Sequence, residues 1–123
     1  GGERIMISIV QQADYVQVMV ADQFTLQDYQ EFERCVLDLL QSKKSISILF
    51  DLREMQGYTV DVALEDIRFT RTHRHELTRI AVVTADQWIL WSAWLNRMLA
   101  DAEIKVFEEI EEAQAWMESN LEA

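Results

Sequence analysis

The sequence predicts an α/β domain: a mixed five-stranded sheet with four helices, in the order ββαβαβαβα. Short β-rich runs alternate with segments whose apolar residues recur at helical spacing. Only the first two strand runs lack a helix between them, so a hairpin opens the sheet and right-handed parallel crossovers complete it. The chain is 123 residues long and half apolar, enough for one domain, residues 1–123, with a core that needs neither disulfides nor metals.

Each element follows from its own residues. Ile5–Val10 and Tyr15–Ala21 are strand-like, the second alternating Val16, Val18 and Val20 with Gln17 and Met19, and the polar break Gln11–Asp14 suits a hairpin. Thr25 with Asp28 three residues on is a capping-box signature. It opens a helix over Leu26–Gln41, in which Tyr29, Phe32, Cys35, Val36, Leu39 and Leu40 recur on one face. Ile46–Leu52 is a continuous apolar run, as a strand covered on both faces requires. Arg53–Thr59 then reads as a loop, with Gly57 free to take a positive φ and Thr59 placed to cap a helix over Val60–Arg74. Arg79–Thr84 is the next strand. Asp86 caps a helix to Ala100, Glu103–Phe107 is the last strand, and an acidic helix over Ile110–Leu121 closes the chain. Trp116 is expected in the core.

Charge narrows the function. Acidic residues number 22 against 11 basic ones, for a net charge of −11, which repels phosphate backbones and argues against nucleic acid as a partner. Between Ile67 and Ile80, however, Arg68, Arg71, Arg74 and Arg79 face Glu76 alone, so this window is +3 and the remainder −14. It is either a solvated face balancing nearby carboxylates or a contact for anions or headgroups. The single cysteine, Cys35, has no partner for a bridge and reads as an ordinary buried helix position. With no secretory leader and no apolar run of the ~18 residues that span a bilayer, the expected location is cytoplasmic, at most peripheral to the inner membrane.

Three stretches, LFDLREMQGYTVDVALEDIRF from Leu49, RIAVVTADQWILWSAWL from Arg79 and EIKVFEEIEEAQAW from Glu103, resemble the SpoIIAA-like family of small bacterial proteins. The resemblance runs from Ile5 to about Met117. It rests on Asp51 at a strand end, the turn Gly57-Tyr58-Thr59, an arginine-bearing helix and an acidic terminal helix ending in Ala115-Trp116. It implies a fold similar to STAS and CRAL-TRIO domains, no established enzymatic activity, and association with membranes and a hydrophobic ligand. STAS anti-anti-sigma regulators carry a phosphorylatable serine in a D-S-x-G type turn. Here Thr59 sits near that place without the preceding aspartate, so it is expected to cap a helix rather than to act as a phosphorylation switch.

Two helices carry more apolar surface than one sheet contact uses. In Asp86–Ala100, Trp88, Trp91 and Trp94 sit at helical spacing, and apolar residues cover about half the circumference, whereas a sheet-packed helix buries a stripe a little over ~100° wide. Met98 and Leu99 extend that surface. In the preceding helix Val60, Ala63, Leu64 and Ile67 form one stripe, while Val62 and Phe69 point to the opposite side. Either a second helix or subunit covers the surplus, or it lines a pocket and meets a membrane, with Arg68, Arg71 and Arg74 beside Phe69 contributing about 1 kcal/mol each at an anionic surface.

The function expected is a non-catalytic module that binds a small hydrophobic or lipid-like ligand through Tyr58, Phe69, Trp88, Trp91 and Trp94. Arg68, Arg71 and Arg74 form its contact with an anionic membrane. The alternative is a STAS-like regulatory protein–protein interaction module, acting as a homodimer. No catalytic residue, cofactor or metal is expected: His73 and His75 point about 200° apart on a helix, and no phosphate-binding glycine loop, G-x-S-x-G, H-E-x-x-H or cysteine cluster occurs.

Overall fold

Strand alternation puts two apolar faces on one sheet. The computed structural model describes residues 7–85 and 103–119. The strands are β1 (Ile7–Gln11), β2 (Val16–Phe24), β3 (Ile46–Tyr58), β4 (Leu77–Val83) and β5 (Glu103–Phe107), and the helices are α1 (Leu26–Leu40), α2 (Val60–Thr72) and α3 (Ile110–Glu118). The sheet runs in the order β1-β2-β3-β4-β5, with β1 antiparallel to β2 and every later pair parallel. This is the mixed five-stranded sheet the sequence predicts. Three helices lie among the described residues, and the predicted fourth, Asp86–Ala100 with its tryptophans, falls outside them.

Val16, Val18 and Val20 of β2, Ile48 of β3, Ile80 and Val82 of β4 and Ile104 of β5 join one core with α1 and α2. Leu49, Ala81 and Val83 join a second core with Ala113, Trp116 and Met117 of α3. Both faces of β3 and β4 are therefore covered, which is why those runs are continuously apolar. On β2, Met19 is exposed, so alternation survives there.

Helix termini are held by side chains. The Thr25 hydroxyl accepts from the Asp28 amide at 3.3 Å, and the Asp28 carboxylate accepts from the Thr25 amide at 3.1 Å, completing the predicted capping box. At the other face, Arg79 Nη1 donates to the carbonyls of Trp116 at 3.0 Å and Ser119 at 2.9 Å, and its guanidinium lies 5.4 Å from the Trp116 ring centre. A cation there complements the carboxyl end of α3. Trp116 is buried as expected.

Two expectations for the middle of the chain are corrected. Arg53–Thr59 is not a loop: β3 continues to Tyr58, because β2 itself runs to Phe24 and pairs with it through Ala21↔Glu54, Asp22↔Met55, Gln23↔Gly57 and Phe24↔Tyr58. The pairing slips between Met19 and Ala21 and again between Asp22 and Gln23. The positive φ falls on Asp22, at 55°, and not on Gly57. Aspartate tolerates that left-handed conformation, so the irregularity is taken up by β2. Along the extended β3, Asp51 and Arg53 share a face, and the buried Asp51 carboxylate accepts from Arg53 Nε and Nη2, both at 2.8 Å. Smaller shifts also occur: β4 begins at Leu77, α2 stops at Thr72, and α3 ends at Glu118.

Replacing Thr25 with alanine removes the box at the start of α1. The expected loss is about 1 kcal/mol, seen as a fall of about 3–6 °C in thermal unfolding followed by circular dichroism.

Candidate functional site

Helix α2 has two apolar sides, as the sequence indicates, and the structure shows which faces inward. Val62 and Phe69 are 4% and 3% exposed, whereas Val60 and Leu64 are 75% and 63% exposed and Ile67 is 36% exposed. The outer three are four and three residues apart, one stripe down the helix. Thr59 occupies the N-cap position, but its hydroxyl makes no cap bond and donates instead to Asp61 Oδ1. The inner anchor is aromatic: Phe69 meets Tyr29 at 6.1 Å and Phe32 at 5.8 Å between ring centres, both edge-on. Phe69 is thus a core residue. The expectation that it sits beside the arginines at a membrane surface is corrected, because its side chain lies on the opposite side of α2 from the exposed stripe.

Polar groups close the seam between α1 and α2. The buried Tyr29 hydroxyl donates to Asp66 Oδ1 at 2.5 Å. Burial, then the Asp66 charge, pushes that hydroxyl well above the usual phenol range, so it remains a donor. One turn along α1, burial and then the hydrogen bond with Glu65 push Glu33 up to about 7, against the pull of Arg68. Arg68, and next the same bond to Glu33, hold Glu65 down at about 2. Glu33 is therefore the carboxyl that takes up a proton as pH falls toward neutrality, while Glu65 stays ionised. Arg68 binds Glu65 through Nε at 2.9 Å and through Nη2, which also lies 3.5 Å from Glu33.

Beneath this seam lies a hollow of about 60 Å³. Its walls are mainly apolar, with Tyr29, Phe32 and Phe69 from the helical layer and Phe50, Ile80, Val82 and Ile104 from the sheet, and Asp66 and Thr70 add polar atoms. Clefts that enclose drug-sized ligands measure about 300–1,000 Å³, so this space holds only a few heavy atoms as it stands.

Among the described residues, the two predicted ligand contacts Tyr58 and Phe69 are not brought together. Phe69 lines the hollow, whereas Tyr58 is 39% exposed at the end of β3, beside the first turn of α2. Trp88, Trp91 and Trp94 lie outside the described residues. Arg68 is tied to carboxylates, Arg71 is exposed and makes no ion pair among the described residues, and Arg74 Nε lies 3.3 Å from His75 Nε2. His73 caps α2, stacks on Phe69 at 4.5 Å and pairs through Nδ1 with Glu76 at 2.8 Å. No group of three or more metal-ligating side chains occurs among the described residues. Cys35 is only half-buried, and burial, followed by Asp38, pushes its thiol up, away from an activated thiolate.

Tyr29, Glu33, Asp66 and Thr70 did not emerge from the sequence as site residues. Pairing Tyr29 with Asp66 spans 37 residues, which spacing cannot reveal. A signal existed for the α2 members: Asp66 and Thr70 follow Val62 at intervals of four, so polar residues occupy inward positions of an otherwise apolar stripe.

The family model described as SpoIIAA-like matches residues 15–118. Among solved structures, the chain is similar to an uncharacterized protein of the DUF3478 family with a SpoIIAA-like fold from Shewanella loihica PV-4. The TM-score is 0.73 at 23% identity, over 90% of this chain and 91% of that one. No curated protein matches the sequence.

Glu33 gives the seam a pH dependence with a definite sign. Its pKa is raised on folding, so its contribution to stability is complete below about 4.5 and disappears as pH rises through about 7. Melting temperatures measured from pH 5 to pH 8 are expected to fall on this account by about 3–6 °C. Glu33→Gln, which keeps a hydrogen-bond donor without the titration, is expected to remove most of that difference relative to the unsubstituted protein.

Proposed function

The chain belongs to the SpoIIAA-like family, and we propose that it works as a non-catalytic binding module. It takes a small hydrophobic or lipid-like molecule beneath α2 and attaches reversibly to an anionic membrane through the outer side of the same helix. The single observation that carries this reading is the two-sidedness of α2: Phe69 over an aromatic-walled hollow inside, Val60, Leu64 and Ile67 exposed outside. Arg71 continues the outer stripe four residues after Ile67, and Arg74 follows the helix end. A helix with this distribution lies in a bilayer interface with its apolar residues among the acyl chains and its cations among the headgroups. No described helix is long and apolar enough to cross a membrane, and interfacial attachment does not call for one.

Acidic residues on α2 favour a second reading. Asp61, Glu65 and Asp66 outnumber Arg68 and Arg71 on the helix, within a chain of net charge −11, and an anionic bilayer repels that excess at long range. A second copy of the chain would cover the stripe without that repulsion. The module would then be a STAS-like regulatory interaction domain acting as a homodimer.

Flotation with phosphatidylcholine vesicles, with and without phosphatidylglycerol, tests the first reading. Binding is expected only with the anionic lipid and at low salt. The double variant Arg71→Ala/Arg74→Ala is expected to lower partitioning about thirtyfold, from about 1 kcal/mol per cation, and Leu64→Glu to abolish it. Failure to float at low salt, or indifference to the arginine substitutions, overturns the membrane reading. Sedimentation velocity tests the second: a dimer lost on Leu64→Glu, in a protein that does not float, assigns the stripe to self-association.

A further inference from the structure

Among the described residues, Thr70 brings to the hollow beneath α2 a hydroxyl that the packing leaves accessible. Thr70 is 5% exposed and lines the hollow, yet its hydroxyl has no hydrogen-bond partner among the described residues. A helical threonine ordinarily returns its hydroxyl to the carbonyl one turn back. Two residues later Thr72 does so, donating to the Arg68 carbonyl at 2.8 Å. The turn therefore permits the bond, and Thr70 stands out from it. The hydroxyl is not sealed into the packing: Thr70 lines the hollow, where a molecule occupying that space can reach it.

The rest of the wall specifies what that partner is. Phe32, Phe50, Phe69, Ile80 and Ile104 offer only apolar contact. Asp66 brings acceptor oxygens to the wall, one of them receiving the Tyr29 hydroxyl, and Glu65 and Glu33 lie along the same seam. A carboxylate or phosphate entering here would meet like charge in a poorly solvated space. A volume of about 60 Å³ admits a few heavy atoms: one water occupies about 30 Å³ of liquid, and a dry cavity of about 150 Å³ takes benzene.

We propose that the hollow takes the alcohol or carbonyl end of a neutral apolar molecule, with the Thr70 hydroxyl as its hydrogen-bond partner and the Phe32–Phe69 wall as its apolar contact. This rests on the reading of α2 as the cover of a ligand site and names the chemical class that site accepts. Fatty-acid and phosphate headgroups are excluded from this position.

Amide and methyl NMR of the full chain, titrated in parallel with 1-propanol and with propanoate, tests the assignment. Saturable shifts centred on Thr70, Phe69 and Ile80 are expected with 1-propanol and none with propanoate. Thr70→Val keeps the shape and removes the hydroxyl. It is expected to weaken 1-propanol binding at least fivefold while melting no lower than the unsubstituted protein, since no native hydrogen bond is lost. A lower melting temperature for Thr70→Val, or unchanged 1-propanol binding, overturns the role of the hydroxyl. If propanoate binds as well as 1-propanol, the neutral class is wrong while a ligand site beneath α2 stands. If neither compound produces saturable shifts, the ligand site itself is wrong, and vesicle attachment through the outer stripe is judged by flotation alone.

Discussion

Phe69 meets Tyr29 and Phe32 edge-on, and Tyr29 and Phe32 meet each other at 5.2 Å, so three rings from two helices close into one cluster against the sheet. Edge-to-face pairs add about 0.5–1.5 kcal/mol each beyond the area they bury. Their larger consequence here is directional. Once Phe69 is fixed inward, the helical period leaves Val60, Leu64 and Ile67 outward, and no rotation of α2 hides both sets at once. The hollow, the seam and the exposed stripe all follow from that rotational setting.

Polar contacts in the seam depend on the same setting. Tyr29 and Glu33 are one turn apart on α1, and Asp66 faces the first while Glu65 faces the second. In this partly buried site the carboxylates are held by a phenol hydroxyl, the hydrogen bond between Glu33 and Glu65, and one arginine. The exposed pair Arg34–Glu31, by contrast, joins neighbouring turns of one helix and contributes little. Three-dimensional placement also divides the basic window. Arg68, itself exposed, is tied to Glu65 and Glu33 at the rim of the seam, Arg79 caps α3 on the far face of the sheet, and Arg71 and Arg74 remain exposed at the carboxyl end of α2. A run that looks like one patch in sequence is three separate devices in space.

The Shewanella loihica protein keeps this fold at 23% identity. What two such chains need in common is the alternation of apolar positions and the order of elements, which many residue choices satisfy. Function resides in the side chains placed on that frame, and likeness of frame carries none of it.

From the sequence alone came the order of the described elements, the sheet of five strands, the capping box of α1, the burial of Trp116 and the two-sidedness of α2. All of these depend on local periodicity or on residues a few positions apart, where chemistry and spacing are written together. The length of β3 was not legible, because Arg53–Tyr58 is polar and contains a glycine, and it is strand only because β2 extends beside it. Nor was the pairing of Tyr29 with Asp66, the contact of Glu33 with Glu65, or the place of the Thr70 hydroxyl in the wall of the hollow. These arise from contacts between α1, α2 and the sheet. Residues distant in the chain are brought to within a few ångströms only by packing, and it is packing that decides which polar atoms pair with one another and which line the hollow.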